Sequence, residues 1–249
     1  MRKFGQHFLI RASILERIAA AACPEHEALV IEIGPGRGAL TTHLLARADR
    51  VVAVEIDPGL TEYLRAKFAS ERRLELVRAN VLHTDLAHWG PAVVAGNLPY
   101  YITSPILERA LAGAVPFRRA VFLVQKEVAD RIIAEPGSRD YGYLTVMLRL
   151  FAAAEMLFTV KPGAFQPPPK VDSAVVRFTP AARASELGID EPARFLRFVA
   201  RAFGHKRKTL RNNLSETYGA GVSAWPEASL RAEQLTMEQF AELYRRLVP

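Results

Sequence analysis

The sequence predicts an α/β fold: a mostly parallel sheet with helices on both faces, ending in an antiparallel hairpin, and followed by a small all-helical domain. Three observations carry this. Short apolar runs alternate with helical patterns through the first half of the chain, as they do when strands and crossover helices build a parallel sheet. Two later strand-like runs are joined by a proline-rich loop too short for a crossover, so they must pair antiparallel. Beyond residue 180 strand-like runs stop and helical periodicity takes over.

In order, Leu29–Ile33 reads as a buried strand stopped by Gly34-Pro35-Gly36. Residues 51–54, 74–77, 92–95 and 120–124 are further strands, with helical patterns at 60–68 and 105–111 between them. Right-handed crossovers are expected throughout. Residues 143–151 read as a helix, and 156–160 and 171–178 as the hairpin strands around Pro162, Pro167, Pro168 and Pro169. The polar stretch 181–191 reads as a linker, and 194–203, 206–218 and 237–247 as helices. Thr236 with Gln239 three residues on forms a capping box for the last. The expected division is therefore 1–180 and 181–249.

A chain of 249 residues, half of them apolar and 24% charged, builds a core without staples and is not disordered. Its single cysteine, Cys23, excludes an internal disulfide and a cysteine-cluster metal site. The histidines are scattered without ligand spacing, so no metal is expected. No apolar run reaches membrane-spanning length and no signal-peptide core follows the start, which reads as a cytoplasmic protein. The net charge of +7 and pI near 9.7 suit an anionic partner such as nucleic acid, or simply a slightly basic enzyme.

The Glu32-Ile33-Gly34-Pro35-Gly36-Arg37-Gly38 stretch follows a strand and opens a helix. Gly34 and Gly36 allow a sharp turn and close approach to a ligand. Glu55, 21 positions after Gly34, sits where a Rossmann-like fold puts the carboxylate that accepts ribose hydroxyls. The third glycine comes only two residues after the second, which departs from the dinucleotide fingerprint. Glu32 would repel a pyrophosphate but could meet a cation. The positively charged cofactor S-adenosylmethionine, leaving as S-adenosylhomocysteine, fits better.

Asn97-Leu98-Pro99-Tyr100 follows the fourth strand, and so emerges beside the cofactor at the carboxyl ends of the sheet. The Asn97 side-chain oxygen and the Leu98 carbonyl can accept the two hydrogens of an exocyclic amine, with Pro99 aiming the latter outward. Tyr100 offers a face on which a base can stack. Such a site activates an adenine N6 by orientation, without a titrating base.

On these motifs the chain resembles the bacterial small-subunit rRNA adenine N6,N6-dimethyltransferases, the KsgA family. The likeness runs through Phe4–Leu9, Glu32–Gly36, Asn97–Tyr100, Gln125–Val128, Phe165–Val176 and Arg207–Asn212. It implies that His7 and Leu9 close over the cofactor, that Gly34 contacts its amino-acid end and Glu55 its ribose, and that Asn97 holds the target amine. It also implies that Phe165 stacks on the flipped base opposite Tyr100. His7 stands where the family usually has Asn. Asn80 stands where it usually has an Asp accepting from the cofactor adenine amine; the Asn80 amide oxygen can still accept, without charge assistance.

From Pro192 to Ser215 there is no acidic residue, while Arg194, Arg197, Arg201, Lys206, Arg207, Lys208 and Arg211 are basic. A one-sign run invites phosphate contacts, and Arg201, Lys206, Arg207, Lys208 and Arg211 are the expected RNA-binding residues. Arg2, Lys3 and Arg11 make the N-terminal segment basic too. The implied activity is dimethylation of two adjacent adenines in the 3′-terminal hairpin loop of small-subunit rRNA, by a monomer acting on pre-30S particles. The rival readings are a large-subunit rRNA adenine methyltransferase of the antibiotic-resistance type, against which Leu98 speaks, and a non-catalytic rRNA-binding assembly factor, which Asn80 favours and the intact Asn97–Tyr100 opposes.

Overall fold

The central apolar runs, 30–33, 51–55 and 92–96, become strands because they are buried on both faces and are satisfied inside a covered parallel sheet. In the computed structural model, which describes residues 7–112 and 117–247, the strands of the main sheet are β2 (Val30–Ile33), β3 (Val51–Glu55), β4 (Leu74–Arg78), β5 (Ala92–Asn97), β6 (Phe117–Gln125), β7 (Ala152–Val160) and β9 (Ser173–Pro180). A two-residue strand β1 (Phe8–Leu9) pairs antiparallel with β8 (Phe165–Gln166), apart from that sheet. The seven strands lie in the order β4-β3-β2-β5-β6-β9-β7. β2 is parallel to β3 and β5, β3 to β4, and β5 to β6, while β9 runs antiparallel to β6.

This order places the functional residues. From β2 the chain winds outward through β3 and β4, then returns to lay β5 on the other side of β2. The reversal opens a crevice beyond the carboxyl ends of β2 and β5, where open α/β sheets bind ligands. Strand pairing continues one residue past the ends, from Gly34 N to Val54 O at 3.0 Å, Ala79 N to Glu55 O at 3.0 Å and Leu98 N to Leu123 O at 3.0 Å. The residues just beyond are thereby fixed.

Helices α1 (Ala12–Ala22), α2 (Ala39–Leu45), α3 (Pro58–Lys67) and α4 (Thr103–Leu111) accompany the sheet. α3 starts where its sequence dictates: Asp57 accepts from Gly59 N at 2.8 Å and Leu60 N at 3.1 Å, with Pro58 at the first helical position. Leu15, Ile18, Ala19 and Ala22 of α1 pack with Leu40 and Leu44 of α2 and with Val30, Val51 and Val93 in one core.

The chain divides into two compact units, 1–129 with 153–180, and 130–152 with 181–249. This grouping differs from the contiguous split expected at residue 180 in taking 130–152 with the later helices. The second unit contains α6 (Tyr143–Phe151), α7 (Arg183–Glu186), α8 (Pro192–Ala202), α9 (Leu210–Tyr218) and α10 (Met237–Leu247); α5 (Lys126–Ile133) leads into it. Its core is aromatic, with the Phe195 ring edge-on to Tyr244 at 5.4 Å and Phe203 against Phe240 at 5.6 Å. The expected capping box is present: Thr236 N donates to Gln239 Oε1 at 3.0 Å and Gln239 N to Thr236 Oγ1 at 3.3 Å. The helix expected over 206–218 begins at Leu210, because Thr209 caps it. The expected linker 181–191 carries the short α7, and β7 begins four residues before the expected 156. No helix among the described residues is long and apolar enough to cross a membrane.

Candidate active site

A cavity of about 510 Å³ lies at the carboxyl ends of the central strands, roofed by the segment His7–Ile10. That volume is in the usual range for a small-molecule site. Its wall takes Gly34 and Gly36 after β2, Glu55 at the end of β3, Asn80 after β4, and Asn97, Leu98, Pro99 and Tyr100 at and after β5, with His7 and Leu9 from the N-terminal segment. Of the expected catalytic and cofactor-binding residues only Phe165 is absent from it.

The turn after β2 is tight because Gly34 and Gly36 adopt φ of 69° and 58°, a region that side chains disfavour. This turn brings Gly36 N to Glu55 Oε2 at 3.2 Å, while Asp57 N donates to Oε1 at 2.9 Å. Burial pushes the Glu55 carboxyl up, and the backbone N–H groups of Asp57, Gly36 and Ile56 pull it back. A carboxylate has about four lone-pair sites, so both oxygens can still accept ribose hydroxyls. The residues present therefore fit S-adenosylmethionine: a close backbone turn, a buried carboxylate and an exposed Ile56 side chain share one cavity.

Glu32 lies beneath this turn, 1% exposed. Desolvation raises its carboxyl to about 7, against the Thr41 hydroxyl, which donates to Oε2 at 2.6 Å. A buried carboxylate of this kind is poised to ionise when a cation arrives.

Asn97 is oriented by the N-terminal segment. Its Nδ2 donates to the His7 carbonyl at 3.0 Å, and this leaves Oδ1 as its acceptor. The Leu98 carbonyl has no partner among the described residues. The Tyr100 ring stacks on the His7 imidazole, centroids 5.6 Å apart, and its hydroxyl shares a 2.5 Å hydrogen bond with Ser173 Oγ. His7 Nδ1 in turn bonds the Pro167 carbonyl at 2.8 Å. Burial raises the Tyr100 phenol, so it stays neutral.

Two expectations are altered by the geometry. The Asn80 amide oxygen, expected for the cofactor adenine amine, accepts from Leu82 N at 3.0 Å and caps the following turn. A backbone N–H needs an acceptor, so the amide cannot be turned round, and Asn80 keeps the second lone pair of Oδ1 and the Nδ2 donor. Phe165 is 3% exposed and packed in the core cluster with Leu9, Val160 and Val175. It pairs opposite Leu9 in the β1–β8 ribbon; Leu9 and the neighbouring Gln166 line the cavity, and Phe165 does not. In this structure the Phe165 ring therefore offers little exposed surface to a base.

The reading of the sequence did not single out Thr41, Ser173, Arg37, Ile56, Tyr101 or Gln166. Thr41 and Ser173 carry no local signal, being placed by α2 and β9. Ile56 and Tyr101 directly follow Glu55 and Tyr100, and that adjacency was the signal available.

The five expected RNA-binding residues of the second unit, Arg201, Lys206, Arg207, Lys208 and Arg211, are exposed, with Arg207, Lys208 and Arg211 free of ion pairs among the described residues. Arg201 donates to Thr217 Oγ1 at 3.0 Å and Lys206 Nζ to the Arg139 carbonyl at 2.6 Å. Arg2, Lys3 and the Phe4-Gly5-Gln6 part of the N-terminal motif lie outside the described residues.

The chain is similar over nearly its whole length to known proteins. The chain is 44% identical over 256 residues to ribosomal RNA small subunit methyltransferase A of Acidobacterium capsulatum, covering 98% of this chain and 90% of that protein. It is 44% identical over 260 residues to the protein of the same name from Gloeobacter violaceus, covering 99% and 93%. A dimethyladenosine transferase from Plasmodium falciparum has the same fold, with a TM-score of 0.80 at 24% identity over 96% of both chains. The 23S rRNA methyltransferase ErmE superposes with a TM-score of 0.71 at 29% identity, over 97% of this chain and 100% of that one. The family model for ribosomal RNA adenine dimethylase matches residues 1–248, and the chain belongs to that family.

Proposed function

We propose that this protein dimethylates N6 of two adjacent adenines in the 3′-terminal hairpin loop of small-subunit rRNA, acting as a cytoplasmic monomer on pre-30S particles. The observation that carries the reading is the side-chain oxygen of Asn97, held free by the bond from Nδ2 to His7 beside the Gly34–Gly36 turn. The 44% identity to small-subunit enzymes favours that subunit over the large one.

When bound, S-adenosylmethionine supplies a methyl group on a sulfonium. Along the strand order β4-β3-β2-β5, Asn80 meets the base of the cofactor, Glu55 its ribose, the Gly34–Gly36 turn its amino-acid end, and Asn97 the target. Asn97 Oδ1 and the Leu98 carbonyl accept the two N6 hydrogens, drawing them out of the ring plane and turning the nitrogen lone pair towards the methyl carbon. Tyr100 supports the ring of the extruded base. As the N–C bond forms, the methyl–sulfur bond would break with its electron pair left on the departing S-adenosylhomocysteine; the nitrogen becomes cationic and loses its proton to water, so no side chain need titrate. Orientation then supplies most of the rate. Arg201, Lys206, Arg207, Lys208 and Arg211 contact phosphates of the rRNA.

Methyl transfer from labelled S-adenosylmethionine to small subunits lacking this modification tests the reading. Label mapping to N6,N6-dimethyladenosine at the two adjacent positions supports it. Label on large-subunit rRNA, or RNA binding without transfer, contradicts it.

A further inference from the structure

Tyr101 differs sharply from its neighbour Tyr100. Tyr100 is held by Ser173 and His7, whereas Tyr101 is 60% exposed and makes no hydrogen bond or ring contact among the described residues. It nevertheless lines the same cavity, as does Ile10, itself 55% exposed. Cations accompany them. Arg37 lies on the cavity wall with its guanidinium 4.7 Å over the Phe8 ring, and Arg11, next to Ile10, is exposed without an ion pair among the described residues. Exposed aromatic and aliphatic faces interleaved with cations match the chemistry of single-stranded nucleic acid, with a π-face for the base and a charge for the phosphate.

We propose that Tyr101 is the stacking platform for the nucleobase next to the target adenine, holding the flanking nucleotide at the cavity mouth while the target occupies the pocket. The inference rests on the reading that the substrate presents an unstacked adenine in a single-stranded loop. Tyr100 and Tyr101 lie in one short turn, Tyr100–Ile102, the first ring held against His7 and Ser173 and the second exposed, so two successive tyrosines are offered to two successive bases. The inner ring receives the reacting base and the outer one its neighbour. Where two adjacent adenines are substrates, whichever is not in the pocket rests on Tyr101.

Steady-state methylation of unmodified small subunits by the wild type and by Tyr101→Ala, Tyr101→Phe and Tyr101→Trp tests this, with calorimetric titration of S-adenosylmethionine alongside. Tyr101→Ala is expected to raise KM for the particle about tenfold, the scale of a lost base stack, with kcat within about threefold of wild type. The Phe and Trp variants should restore KM, and cofactor affinity should be the same in all four proteins. An unchanged KM in the Ala variant, or a Phe variant as impaired as Ala, would overturn the platform. A loss of cofactor affinity in Tyr101→Ala would place Tyr101 in the cofactor site and overturn it as well. Absence of methylation by the wild type would instead remove the underlying reading of the substrate, and the proposal with it.

Discussion

Asn80 has two uses that compete for one oxygen. Capping the turn takes one lone pair of Oδ1, and the cofactor adenine is left the other, an uncharged and shared acceptor. Asn80→Asp keeps one oxygen on Leu82 N and supplies a second acceptor with charge. Cofactor affinity measured by calorimetry should tighten by about 1–2 kcal/mol; equal or weaker binding would place the adenine amine elsewhere. Glu32 gives a pH signature. Its carboxyl is raised by burial to about 7, so the folded state holds its proton more tightly than the unfolded chain does. Its contribution to stability is full below about pH 4 and is lost as pH rises through about 7. Denaturant unfolding of wild type against Glu32→Gln should diverge by about 3 kcal/mol across that window, wild type losing ground at the alkaline end; parallel curves would contradict the assignment. Asn97, Tyr100 and Glu55 were legible in the sequence because each directly follows or ends an apolar run. The burial of Phe165 was not legible, because an aromatic within a motif does not say which side of a two-residue ribbon it faces.

At the scale of elements, the end of β5 is the least tolerant place in the site. A Cβ on Gly96 would lie 2.4 Å from the Ile33 carbonyl oxygen of β2, a backbone atom that cannot yield without parting the two strands that carry the cavity. Gly96→Ala should cost about 1–3 kcal/mol in thermal or denaturant unfolding, and methylation should fall because Asn97 is the next residue. A variant with wild-type stability and rate would show that the strands can part freely. The sequence made β2, β3, β5 and β6 readable because buried strands are continuous apolar runs, and β4, a half-buried edge strand, by its alternation of Leu74, Glu75 and Leu76. It hid β1 and β8, since two residues have no periodicity, and it hid the start of β7 in alanines, which carry no strand preference. The cluster Lys206, Arg207 and Lys208 was read as helix but precedes the Thr209 cap. Cations at a helix N-terminus oppose its dipole, so helix stability does not explain them there. Replacing Arg207 and Lys208 with Ala should weaken small-subunit binding and flatten its salt dependence by about one unit per lost phosphate contact. Filter binding over a salt series checks this, with an unchanged slope marking the run as a solvated face.

At the scale of the whole molecule, the sequence disclosed the α/β and helical parts but not the grouping of 130–152 with the later helices, because contacts between distant segments leave no local pattern. The central claim is that the strand order brings a cofactor turn and a free amide oxygen together for transfer to an adenine amine. Single-turnover methylation by Asn97→Ala, with cofactor and small-subunit affinities measured on the same preparation, tests this most directly. The account predicts a steep fall in rate, of order a hundredfold or more, with both affinities near wild type. A surviving rate with weakened RNA binding would contradict it, leaving Asn97 as a binding residue and the amine activated by some other group.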